Sequence, residues 1–411
     1  MMRRRAVFVS PIMPDRTGNG LAMRMGLFLE ALARMASVEL IVVPAAGGTS
    51  VAPAFYAELD VRLHVVACAQ RRDTAFQMLS RVTDPGRRLQ LFQAYGKPSL
   101  ASHLSAPVLA EIAGLIAACK PDIVHVGRSY LAPCIDVLGR GVTATIDLDE
   151  DDAAAFGLRA ASARARHDEA RAAWLEQEAR AFDGLIERHA GRFGRVFVSS
   201  GQETRLLASR HAVLACDVIE NAVSLPVSAP RADDGSTMVF VGSLSHEPNV
   251  EGVLWFAREV MPLLRHQAGR ACRLVVAGAE PPPPILALTG QDDVEVVGYV
   301  ADIAGLYRGA ALALAPLLSG GGTRIKLLEA SAHGVAFVST PAGAAGLDWP
   351  PGVGGWIAES PQAFAGSCAR ALADAGERAR RAALGRDWVR RHHDRQALIE
   401  RLGSLLVPET L

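Results

Sequence analysis

The chain has 411 residues, half of them hydrophobic, with 43 basic and 43 acidic side chains and a formal net charge of zero. That length exceeds one ordinary core, so two domains are expected, and the charge balance argues against nucleic acid as a partner. The six cysteines (Cys68, Cys119, Cys134, Cys216, Cys272, Cys368) form no close pair, which argues against a zinc or CxxC site and for a reducing compartment.

Arg3-Arg4-Arg5 before Ala6-Val-Phe-Val9 mimics the start of a signal peptide. The apolar stretch is short and soon meets Pro11 and Pro14, so it reads as a first buried strand. Further strands are expected at 38–43, 61–66, 122–126, 142–146 and 195–199, and in the second half at 238–241, 273–276, 294–297, 312–315 and 335–338. Gly18-Asn-Gly20 precedes a helix over 21–33, a βα turn that falls short of a full GxGxxG. Arg71-Arg72 and Arg87-Arg88 read as solvated helix faces, with peripheral contact to lipid headgroups as the alternative. Residues 162–189, with Trp174, Leu175, Phe182 and Leu185, read as one long helix. Pro226, Pro230, Asp233, Asp234 and Gly235 mark a linker over 221–236. The closing segment, 378–406, is amphipathic through Trp388, Val389, Leu398, Ile399 and Leu402. Strands alternating with helices imply α/β architecture, with parallel sheets covered on both faces. Two such series imply two Rossmann-like, doubly wound domains. The expected division is 1–225 and 232–380, with 381–411 as a helical segment that closes the second domain or crosses back to the first. No run is long enough to span a bilayer, so the expected location is the cytoplasm, including the inner face of its membrane.

The most informative stretch runs from Leu317 to Gly334. Gly320, Gly321 and Gly322 follow an apolar run and open a helix that Gly334 closes. Unpaired backbone N–H groups and the helix dipole at such a start suit a phosphate. At about 100° per residue, Gly322, Lys326, Glu329 and His333 share one polar face, and Ile325, Leu328 and Ala332 the opposite, buried one. Arg324 lies off the polar face. Amides, a cation and a carboxylate able to hold sugar hydroxyls thus point one way, toward a nucleoside diphosphate sugar. The plain alternative is a surface ion pair between Lys326 and Glu329.

Phe240 to Asn249, Trp255-Phe256, Met261-Pro262, Leu274 to Gly278, Val297 to Asp302 and Gly320 to Glu329, in this order and spacing, resemble the donor domain of family 4 retaining glycosyltransferases (glycosyl transferases group 1). The resemblance implies the GT-B architecture, two Rossmann-like domains facing across a cleft. The first would bind the acceptor and the second the nucleotide-sugar donor. It implies that Glu329 holds the ribose hydroxyls and that Gly322 and Thr323 lend amides to the phosphates. Tyr299 and Val300 would read the base, Gly242 and Ser243 would lie near the diphosphate, and Gly20 would lie under the donor sugar, with Asn19 and Arg24 beside it on the acceptor side. The family often has a glutamate where this chain has Gly321, an arginine where it has Ser243, and a lysine at about the place of Asn249. Arg324 and Lys326 are expected to supply those charges. The co-substrate would be a UDP-sugar or GDP-sugar, with no other cofactor and no metal. The acceptor, a glycan, a lipid-linked species or a small molecule, is not legible.

Asp147-Leu-Asp-Glu-Asp-Asp152 reads as acids at a helix start, favoured by the dipole, ahead of a metal-binding DxD. Asp147 stands where many family members have a histidine, which implies a role on the acceptor side or in oxocarbenium stabilisation. His125, within a strand, reads as a satisfied core histidine. His246, in the loop after the second domain's first strand, is a candidate for the cleft. Asn249, beside Pro248, reads as a helix cap. Two rivals accompany the transferase reading: a GT-B sugar-nucleotide 2-epimerase, and a catalytically degenerate sugar-nucleotide-binding partner subunit.

Overall fold

The computed structural model describes residues 3–48, 53–139, 141–212, 214–227, 232–269, 271–291, 293–319 and 324–406. The chain forms two compact units: Met1–Glu220 with Gln396–Leu411, and Asn221–Arg395.

The first unit is built on strands β1 (Arg4–Ser10), β2 (Ala36–Val42), β3 (Val61–Val65), β4 (Ile123–Gly127), β5 (Thr143–Asp149), β6 (Arg195–Val198) and β7 (Asp217–Val218). They pair in the order β3-β2-β1-β4-β5-β6-β7, and every pairing is parallel. Such a sheet must be covered on both faces, which explains the unbroken apolar run of β1. Val7 and Val9 enter one cluster with Val124, Val126, Ile146 and Phe182. Each such buried side chain contributes about 1.5–3 kcal/mol.

The second unit carries β8 (Thr237–Val241), β9 (Arg273–Ala277), β10 (Val294–Gly298), β11 (Leu312–Ala315), β12 (Phe337–Ser339) and β13 (Gly355–Ile357). Their order is β10-β9-β8-β11-β12-β13, again parallel throughout. Counted from its own first strand this is the doubly wound 3-2-1-4-5-6 arrangement. All eleven expected strands are present. β7 and β13 are additional, and at two and three residues they are too short to carry a period.

The expected single helix over 162–189 is instead two, Asp152–Ala165 and Glu169–His189. His167 takes a left-handed φ of 61° at the break, and Asp168 caps the second helix by accepting from Arg171 N–H. The last helix, Arg395–Leu406, counts with the first unit and buries Leu398, Ile399, Leu402 and Leu406. Arg34 donates to Gln396, and Arg401 pairs with Glu220 at 2.9 Å. Among the described residues, no helix is long and apolar enough to cross a membrane.

Candidate functional site

In an open parallel sheet the connections from two neighbouring strands leave in opposite directions at one place, and a crevice opens there beyond their carboxyl ends. In the second unit that place lies between β8 and β11. β8 delivers Gly242 and Ser243. β11 delivers Pro316 and Leu317 and, further on, the helix Ile325–Ala332. The expected glycine bend, Gly320, Gly321, Gly322 and Thr323, lies outside the described residues.

Small residues bring these walls together. A Cβ on Gly278 would stand 1.9 Å from the Gly242 carbonyl oxygen, and one on Gly252 would stand 2.7 Å from that of Pro316. A Cβ on Gly242 would meet Lys326 Nζ at 2.9 Å and Asn249 Nδ2 at 3.0 Å.

Lys326 is half-buried. Its ammonium donates to Asn249 Oδ1 at 2.7 Å and sits 4.0 Å above the centre of the Phe240 ring. Burial and neighbouring Arg324 bring Lys326 down to about 7, with Glu329 opposing. Glu329 is half-buried as well, and burial lifts it to about 7 against the pull of Lys326. The two side chains are not ion-paired, so the surface-pair alternative does not describe them, and the Glu329 carboxylate has no hydrogen-bond partner among the described residues. Arg324 is 7% exposed and donates from Nε to the Ala342 carbonyl at 3.1 Å.

The helix runs Ile325–Ala332 with His333 as its C-cap, and Gly334 follows in the left-handed region. Its buried residues are Leu327, Leu328, Ala330, Ser331 and Ala332. Ile325, expected on the buried face, is only half-buried at the helix start. Asn249 is not a cap. It lies inside the helix Glu247–Trp255, where its amide bridges to Ser243 and Lys326. His246 precedes that helix as an exposed residue. Tyr299 follows β10 and is 78% exposed, with Val300 half-buried beside it. The turn between strand and tyrosine is Gly298, whose φ is 66° and whose carbonyl accepts from Gly278 N–H at 2.7 Å.

The first unit reverses direction between β1 and β4. Asn19 caps the helix Gly20–Met35, accepting from Ala22 N–H at 2.8 Å. Arg24, one turn in, is 1% exposed. It donates from Nε and Nη2 to the two oxygens of Asp147, both at 2.7 Å, and from Nη1 to the Ile219 carbonyl at 2.8 Å. Asp147 has no accessible surface. It belongs to β5, which runs two residues past it. Burial drives its carboxyl upward and Arg24 counters that shift.

A second arginine completes the cluster. Arg128 leaves β4 at a left-handed φ of 71° and pairs with Asp149 and Glu150 at 3.1 Å and with Asp152 at 2.6 Å. Asp151 caps the helix Asp152–Ala165. The run of acids is thus taken up by two buried arginines and a helix start. Among the described residues, no three His, Cys, Asp or Glu side chains converge as a metal site. Burial still lifts Asp152 and Glu203 to about 7. Arg128 was not singled out in the sequence, although six positions holding five acids are a signal that cations must be near. His125 is fully buried, stacked on Phe28 at 4.4 Å and bonded through Nδ1 to Thr145. Its Nε2 has no partner among the described residues, so it is a core histidine satisfied on one side only. Burial, then Arg24, hold it down near 3.

Two doubly wound parallel units of this kind define the GT-B class, and solved structures agree. The sucrose-phosphate synthase (tll1590) of Thermosynechococcus elongatus superposes with a TM-score of 0.65 at 16% identity, covering 98% of each chain. Anabaena Alr3699/HepE, solved with UDP and glucose, gives 0.63 at 14% identity, covering 98% of this chain and 99% of that one. OtsA gives 0.64 at 13% identity over 99% and 100%. No curated protein matches the sequence. Residues 235–374 match the family described as Glycosyl transferases group 1. The fold is therefore that of the GT-B structures, and the group 1 match lies within the second unit.

Proposed function

We propose that the protein transfers a sugar from a nucleoside diphosphate sugar to an acceptor hydroxyl, with retention of anomeric configuration and without a metal. One observation carries this reading. At the β8/β11 crevice a half-buried ammonium and a half-buried carboxylate stand unpaired with each other, Lys326 steadied by neutral groups and Glu329 without a hydrogen-bond partner among the described residues. A cation poised this way suits a diphosphate, and a free carboxylate suits vicinal ribose hydroxyls. HepE has been solved with UDP and with UDP-glucose, which favours a UDP-sugar here.

In this reading the donor lies across the second unit, its base beside Tyr299 and Val300 and its phosphates near Gly242, Ser243 and the start of the helix Ile325–Ala332. Lys326, with Arg324 behind it, stabilises charge developing on the leaving diphosphate. The leaving phosphate oxygen takes the acceptor proton as the new glycosidic bond forms on the same face. The protein therefore supplies alignment and field more than a strong base. Asp147 acts through Arg24, as the carboxylate that fixes it. The first unit holds the acceptor, with Asn19 and Gly20 at its first βα turn.

A melting panel with UDP, GDP, ADP and their sugars tests this. A ligand at 100 times its Kd stabilises the folded state by about 2.7 kcal/mol. UDP and a UDP-sugar are expected to raise Tm. No shift with any of them would reject the reading.

A further inference from the structure

We propose that Asn249 is the positioning residue of the donor site, its amide anchoring on the β8 loop and fixing the Lys326 ammonium where a diphosphate's charge would fall. The inference rests on the donor reading above.

Asn249 is 7% exposed. Its two polar ends have different tasks. Nδ2 donates to the Ser243 carbonyl at 2.7 Å, which leaves Oδ1 to accept from Lys326 Nζ at 2.7 Å. The reverse orientation would set N–H against ammonium and N–H groups away from the carbonyl, so the network fixes the amide one way round. Ser243 belongs to the loop after β8, and Lys326 to the helix after β11. A single side chain therefore ties together both walls of the crevice.

Gly242 makes this possible, because a Cβ there would crowd both Lys326 Nζ and Asn249 Nδ2. Phe240 supplies the floor, its ring face toward the ammonium. Each of these groups orients the charge and none neutralises it. The charges acting on Lys326 are Arg324 and Glu329 from its own segment. The helix Ile303–Gly309 brings the Tyr307 hydroxyl to the Lys326 carbonyl, and the helix Glu247–Trp255 presents the neutral amide. An aspartate at 249 would be nearly isosteric but would pair with the lysine and cancel the cation a diphosphate needs.

The sign of the pH effect follows. An anionic ligand prefers protonated Lys326, which burial and then Arg324 bring down to about 7. Loss of the lysine's proton therefore lowers UDP affinity as pH rises through about 7. Glu329, also brought to about 7, acts on UDP and uridine alike, so the break is read from UDP affinity relative to uridine. Asn249→Asp raises the lysine's proton affinity and moves this break upward. Asn249→Ala removes the acceptor and moves it downward.

UDP and uridine are titrated calorimetrically into wild type, Asn249→Asp and Asn249→Ala between pH 6 and 9. The expected result is opposite displacement of the break in the two variants. UDP should bind Asn249→Asp about tenfold more weakly at low pH, with uridine changed far less. A merely structural asparagine would weaken UDP and uridine alike and leave the break in place, which overturns the proposal. If only one variant folds, its direction alone decides. Failure of the wild type to bind UDP, GDP or ADP would instead reject the donor reading itself.

Discussion

Arg24 and Asp147 form a bidentate pair with essentially no access to water, and Phe28 lies 5.5 Å from the guanidinium. Removing one partner of such a pair strands a buried charge, at a cost of about 3–5 kcal/mol. Asp147→Asn is therefore expected to lower the first unit's stability by that order, measured by urea unfolding. Full stability with lost turnover would instead make Asp147 a group that meets substrate. Both residues stood out in the sequence, but 123 positions separate them and no local pattern links them. Asn249 was misread for a related reason. Its neighbours in sequence suggested a cap, while its partner Lys326 comes from another βα unit.

At the scale of elements, the strands were legible because sheets buried on both faces leave near-continuous β-branched runs. The break at His167 was not, since alanine and arginine on either side favour helix and only Asp168 marks the restart. The entry to β8 shows how a loop can be fixed by one acid. Asp234 accepts from the N–H groups of Ser236 and Thr237 at 2.8 and 2.7 Å and from the Thr237 hydroxyl at 2.8 Å. Partial burial opposes these bonds, but they win and pull Asp234 to about 2. An acid lowered from an ordinary value of about 4 contributes stability that is complete above that value and is lost as pH falls through the folded one. Asp234→Ala should therefore melt below wild type at neutral pH, and the difference should close as pH falls from about 4 to 2. A difference independent of pH would show that the contribution is not ionic. Gly278→Ala should disrupt the second sheet more severely, because its Cβ would overlap the Gly242 carbonyl.

At the scale of the whole molecule, the chain leaves the first unit after Glu220 and re-enters it at Gln396. Deleting 396–411 removes Leu398, Ile399, Leu402 and Leu406 from the first unit, each worth about 1.5–3 kcal/mol. Calorimetry should then show the first unit melting earlier, while UDP still stabilises the second; an unmoved first transition would contradict this. The two-unit plan was legible in two series of alternating strands and helices, and Lys326 with Glu329 in the periodicity of one helix, whereas the β8/β11 crevice was not, because it depends on how the strands pair. The decisive test is calorimetric titration of UDP into wild type and Glu329→Ala. Loss of charge-assisted bonds to the ribose should cost about 1.5–3 kcal/mol, an affinity at least about tenfold weaker, with the fold intact. Equal affinity in the two proteins would contradict a nucleotide held by Glu329.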